Sequence, residues 1–162
     1  MKHMKTKLIV LIGVLLISSN VSSIERIQFY AVFTSDSSEI VKDLIEKIEE
    51  EAPNSVVNAF TGALYMKLSS LLPDPKSKLN TFKKGRKLLE KEIEMQPNNI
   101  EYRFLRLAIQ EQSPGFLRYK KELQSDKELI VSHFSSLDNA VQKQVIFYAK
   151  QSKILNPQDL KP

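Results

Sequence analysis

The chain has 162 residues, 24 Lys+Arg against 19 Asp+Glu, and no Cys. That length supports one domain with its own core. The missing thiols exclude disulfides, thiolate metal sites and cysteine catalysis, and only four Gly argue against a turn-rich β fold.

The first 23 residues have the order of a secretory signal. Lys2, Lys5 and Lys7 form a positive start, Leu8 to Ile17 is an apolar run, and Ser18 to Ser23 is a polar tail. A spanning helix needs about 20 apolar residues, so the run suits a cleaved signal better than an anchor. Val21 and Ser23 are placed for a cut that leaves Ile24 first. No Cys follows the run, so a lipid anchor has no thiol to use. Removing the signal takes three lysines and no acid, leaving 21 basic against 19 acidic residues. A net charge of +2 weakens the case for nucleic acid, whose binding wants a strong, concentrated basic field.

Ile24 to Thr34 suits a helix, with Ile27, Tyr30 and Phe33 or Thr34 on one face, although its β-branched and aromatic residues also suit a strand. Asp36-x-x-Glu39 is a capping-box pattern ahead of Ile40, Leu44, Ile45 and Ile48. Pro53-Asn54 separates that helix from one over about Ser55 to Leu72, with Val56, Phe60, Ala63, Leu64 and Leu68 on one face. Asp74-Pro75 starts a helix carrying Leu79, Phe82, Gly85, Leu89 and Ile93, and Pro97 ends it. Asn98-x-x-Glu101 caps a helix with Phe104, Leu105, Leu107, Ala108 and Ile109. Ser113-Pro114 opens a short helix to about Leu123, and Ser125-x-x-Glu128 caps the next, before Leu129, Ile130 and Phe134. Asp138 starts the last helix, with Val141, Val145, Tyr148 and Ala149 on one face, and Asn156-Pro157 stops it. The expectation is an all-α fold of about six to eight helices. The short loops make sequential helices antiparallel hairpins, in a solenoid or bundle. The signal covers 1–23, a single helical domain 24–157, and a tail 158–162.

The stretch from Phe82 to Ala108, FKKGRKLLEKEIEMQPNNIEYRFLRLA, resembles a tetratricopeptide repeat junction. Gly85, Leu89 and Pro97 fall at the spacing of that family's second helix and the turn after it. Gly62 and Tyr65 match the small-x-x-Tyr pair of a first helix. Glu92 stands where the family has a second small residue, and Arg103, Arg106 and Leu107 stand in place of Trp, Leu and Gly. The likeness covers about one and a half units. It implies close helix pairing at the small residues, a right-handed solenoid of hairpins, and a groove suited to a peptide. The order of segments is also similar to that of small exported bacterial helical proteins without assigned activity.

Charge is local. Residues 39–51 hold six acids and two lysines, whereas 76–91 hold seven bases and Glu90. Adjacent helices would let these runs pair. Alternatively, Lys83, Lys84, Arg86 and Lys87 form a face for an anionic partner. Arg103, Arg106 and Gln110 share a stripe at i, i+3, i+7. Arg118, Tyr119, Lys120 and Lys121 follow across the Ser113-Pro114 turn. Together they form a candidate polar patch, since Arg forks suit carboxylates and Tyr is a common interface anchor. The other reading of these Arg residues is pairing with Glu101, Glu111 or Glu122.

Catalytic signals are absent from the pattern. His133 is the only His after the signal and has no partner at ligand spacing. Glu46, Glu49, Glu50 and Glu51 read as a solvated helix end. No nucleophile elbow or phosphate loop is found. The residues therefore point to a non-catalytic exported protein, periplasmic or secreted, without cofactor or metal and without a membrane span once the signal is gone. It would bind a protein or peptide of the cell envelope. The alternative is a carrier or sensor of an amphiphilic small ligand held between helices.

Overall fold

Most helices begin where a side chain can satisfy the free backbone N–H groups of a first turn. The computed structural model describes residues 23–161, so the expected signal lies outside the described residues except for Ser23. Seven α-helices follow one another among these residues. They are α1 (Ser23–Phe33), α2 (Ser38–Glu49), α3 (Ser55–Leu71), α4 (Pro75–Met95), α5 (Ile100–Gln112), α6 (Leu123–His133) and α7 (Asn139–Ala149). Short 3-10 turns lie at Gly115–Leu117, Phe134–Ser136 and Pro157–Asp159. The all-α expectation of six to eight helices holds.

Asn54, Asp74 and Asp138 cap α3, α4 and α7 as the sequence suggests. Five boundaries differ. Ser37, not Asp36, caps α2, because its Oγ accepts from Ile40 N while Asp36 faces Lys67 at 3.4 Å. Asn99, not Asn98, caps α5 by accepting from Tyr102 N, since Asn99 N itself donates back to Gln96 O in the turn. No α-helix forms from Ser113. Gly115 is a poor helix former, and the chain leaves the 3-10 turn through Arg118 in the left-handed region at φ 47°. α6 begins at Leu123, ahead of the Ser125 pattern, which seats Asp126 inside the protein. α7 ends at Ala149, so Asn156 does not stop it but caps the 3-10 turn after it.

α3 and α4 form the tightest hairpin. It is antiparallel, as Asn58 meeting Glu92 and Tyr65 meeting Lys84 show. The closeness comes from Gly62 and Gly85. A Cβ on Gly62 would stand 2.7 Å from Leu89 N and 2.8 Å from Gly85 O, while one on Gly85 would stand 2.8 Å from Met66 N. Only hydrogen fits at either position.

α5 lies at the centre and is buried on nearly every side from Ile100 to Gln110, as a helix surrounded by others must be. α1 crosses it. Arg26 and Tyr30 donate to Glu101, and the Tyr30 ring packs near Phe104. Phe29 stacks on Phe60 of α3, with centroids 3.9 Å apart. At the other end of α5, Glu111 accepts from Tyr148 OH, Ser152 Oγ and Lys153 N, and so ties down the chain after α7. Leu155 and, from the expected tail, Leu160 are buried in the core. None of the described helices is long and apolar enough to cross a membrane.

Candidate functional site

The stripe of Arg103, Arg106 and Gln110 lies on the flank of α5 that faces α6 and α4. Burying a guanidinium without a counter-charge is prohibitively unfavourable, so these residues demand partners. Arg106 is buried and makes two hydrogen bonds to Asp126, from Nε to Oδ2 and from Nη2 to Oδ1, both at 2.7 Å. Its Nη1 reaches Glu90 Oε2 of α4 at 2.8 Å. Arg103 adds a 3.1 Å bond to Asp126 Oδ1 and donates through Nε to Pro97 O. The Asp126 side chain is 0% exposed. Burial alone would lower the Arg106 pKa. The hydrogen bonds and charge of Asp126, followed by those of Glu90, outweigh burial and hold it above its ordinary value.

Tyr119 extends this cluster toward the surface. Its ring meets Phe82 edge-on, Arg86 lies 4.7 Å above its centroid, and its OH donates to Glu90 Oε1 at 2.5 Å. Burial and then the Glu90 charge push the phenol well above its usual range. Gln110 is fully buried, donates from Nε2 to Glu122 Oε2 at 2.7 Å, and leaves Oε1 without a partner.

A cleft of about 390 Å³ opens beside the cluster, lined by Lys83, Arg86, Lys87, Glu90, Glu94 and Glu122. Glu90 and Glu122 belong to both the cluster and the cleft. The two groups of candidate residues therefore converge. Lys83, Arg86 and Lys87 stand at the cleft, while Arg106, Gln110 and Tyr119 hold its acidic wall from behind. Three candidates stand apart. Lys84 turns to the opposite flank of α4, over the Tyr65 ring and 3.4 Å from Glu49. Arg118 follows the 3-10 turn and is exposed. Arg103 sits half-buried at the far end of the ion cluster.

The Arg residues do pair internally, but not with the acids expected. Glu101 holds Arg26, Glu111 holds the C-terminal segment, and Glu122 holds Gln110. Asp126 and Glu90 are the partners. The sequence carried a sign of the second: Glu90 is the lone acid among seven bases in 76–91. The acidic α2 and basic α4 both flank α3, and Lys84 to Glu49 is the ion pair that joins them.

His133 is exposed, with Nδ1 near Ser132 Oγ and Leu129 O. Among the described residues, no group of three or more His, Asp or Glu is gathered closely enough to hold a metal ion. A smaller, more apolar depression of about 110 Å³ lies where α1, α2 and α3 meet, lined in part by Phe29, Leu44, Ile48, Val57 and Phe60. No family model matches the chain, and no curated protein or solved structure matches it either.

Proposed function

We propose that this is an exported, non-catalytic helical protein that binds a protein or peptide of the cell envelope through the cleft beside α4. The carrying observation is the state of the cleft's charges. Glu90 and Glu122 already accept from Arg106, Tyr119 and Gln110. Lys83 and Lys87 are exposed and form no ion pair among the described residues. With Arg86 they set three cations against Glu90, Glu94 and Glu122 in the cleft; Arg106 already matches Glu90, so the balance leans positive and attracts a carboxylate-bearing segment. The cleft volume falls within the range of about 300–1,000 Å³ usual for ligand sites, and gives a few side chains of such a segment room to enter.

The buried ion cluster suits positioning rather than chemistry. Its carboxylates are fully occupied by donors, and α4 cannot shift against α5 without breaking them. Export rests on the residue order in 1–23. The carrier reading has less support, because the apolar depression of about 110 Å³ is smaller than an amphiphilic ligand needs.

In-cell crosslinking from the α4 face, followed by mass spectrometry, tests the binding reading. Lys83→Glu with Lys87→Glu should lower capture of the crosslinked partner at least tenfold, by removing two attractions and adding two repulsions. The melting temperature should be unchanged. Equal capture by the reversed protein would reject the cleft as the binding face.

A further inference from the structure

Between α5 and α6 the chain alternates inward and outward. Leu117 packs against the core and Tyr119 is buried, while Phe116, Arg118, Lys120 and Lys121 point to solvent. Phe116 is 80% exposed, more than any other large hydrophobic side chain among the described residues. Gly115 beside it has nothing within 4 Å of where a Cβ would stand, so the space next to Phe116 is open. Every outward group from 116 to 121 is aromatic or cationic, and no acid interrupts the segment.

The loop is nevertheless held firmly. Ser113 Oγ donates to Ile109 O, Tyr119 is fixed by Glu90 and Phe82, and Lys120 Nζ donates to Glu111 O. Through Tyr119 and Arg86 it continues into the cations of α4. A single exposed aromatic among cations offers too little apolar surface to fill a protein groove. It is well matched to a plane that is anionic at its surface and apolar just beneath.

We propose that the 115–121 turn is a membrane-docking tip, with Phe116 entering the acyl boundary of an anionic lipid surface while Arg118 and Lys121 contact headgroup phosphates. This does not rest on the cleft reading: the residues are different, and lipid is the occupant rather than a protein. Docking would hold the cleft close to the membrane surface. Each cation near such a surface strengthens binding by roughly fivefold, and a single aromatic adds a salt-insensitive part.

The test is cosedimentation of the protein, as isolated from expressing cells, with vesicles of phosphatidylglycerol and phosphatidylcholine, compared with phosphatidylcholine alone. Binding should require the anionic lipid. It should fall at least tenfold in Arg118→Glu with Lys121→Glu, and several-fold in Phe116→Ser. Lys83→Glu with Lys87→Glu should lower it less than Arg118→Glu with Lys121→Glu does, which separates this proposal from the cleft. The chain has no Trp, so Phe116→Trp supplies a single indole fluorophore whose emission should shift to the blue on anionic vesicles. Vesicle binding that ignores the Arg118, Lys121 and Phe116 substitutions overturns the proposal, as does an unshifted indole emission from the vesicle-bound Phe116→Trp variant. So does loss of a crosslinked protein partner on Phe116→Ser without any binding to vesicles.

Discussion

Asp126 holds two guanidinium groups with two oxygens and has no contact with water. Removing it leaves Arg106 buried beside a partly exposed Glu90, its one remaining ion-pair partner. Asp126→Ala should therefore destabilise the protein by about 3–5 kcal/mol, the cost of removing one partner from a buried ion pair, as read from the urea midpoint at constant slope. Replacing the pair together, as Arg106→Met with Asp126→Leu, should recover most of that loss, because the desolvation penalty goes with the charges. A loss below about 1 kcal/mol for Asp126→Ala would mean that water reaches the site and screens it. The spacing of Arg103, Arg106 and Gln110 made their shared face visible in the sequence. The partner of the two Arg residues was not visible, because Asp126 sits inside what looks like an ordinary capping pattern, Ser125-x-x-Glu128. A charge's burial is decided by how α6 docks on α5, and no local spacing encodes that.

Gly62 and Gly85 set the distance between α3 and α4. Ala is intrinsically better than Gly in a helix by about 1 kcal/mol. At Gly85, however, the new methyl would meet the Gly62 carbonyl and Met66 N, which are backbone atoms that cannot turn aside. Gly85→Ala should thus be net destabilising by about 1–3 kcal/mol, as in other overpacked sites. Gly115→Ala, facing open space, should stay within about 0.5 kcal/mol of the parent. Thermal unfolding of the two variants decides between packing and propensity. The antiparallel pairing was legible from the short loop at Asp74-Pro75, while the close approach at Gly62 and Gly85 was only what the resemblance implied. Helix starts followed the same logic at Asn54, Asp74 and Asp138, but not at Ser125, where α6 begins earlier without a side-chain cap. They slipped by one position where two candidates stood together, as at Asp36-Ser37 and Asn98-Asn99, because the winner depends on which neighbour each side chain finds. The segment after Ser113 was misread for a tertiary reason. Tyr119 is drawn inward to Glu90 and Phe82, and a helix there would turn it elsewhere.

The five tyrosines join the elements into one unit and make the whole protein sensitive to alkali. Tyr30 of α1 donates to Glu101 of α5, Tyr119 of the connecting turn to Glu90 of α4, and Tyr148 of α7 to Glu111 of α5. In each case burial, reinforced by the adjacent carboxylate, raises the phenol above its ordinary value of 10.0. Tyr65 and Tyr102 are raised as well, chiefly by burial. Lys84 is raised in turn: burial would lower it, but Tyr65 and Glu49 prevail. A raised folded pKa means that the folded protein keeps its proton where the unfolded chain has lost it. This stabilisation is complete below about pH 10 and drains away as pH rises toward the folded values. Stability measured by urea should therefore be flat through neutral pH and fall steeply above about pH 10. Without Trp to obscure it, tyrosinate absorbance should rise together with the loss of helical circular dichroism, in one cooperative step, since all three carboxylate anchors belong to α4 or α5. Phenolate absorbance that develops with an ordinary tyrosine profile while the helical signal persists would contradict this. Tyr119→Phe provides the internal check. It removes one proton-linked contact, so the alkaline fall should become shallower even as stability at neutral pH drops by about 1 kcal/mol for the lost hydrogen bond.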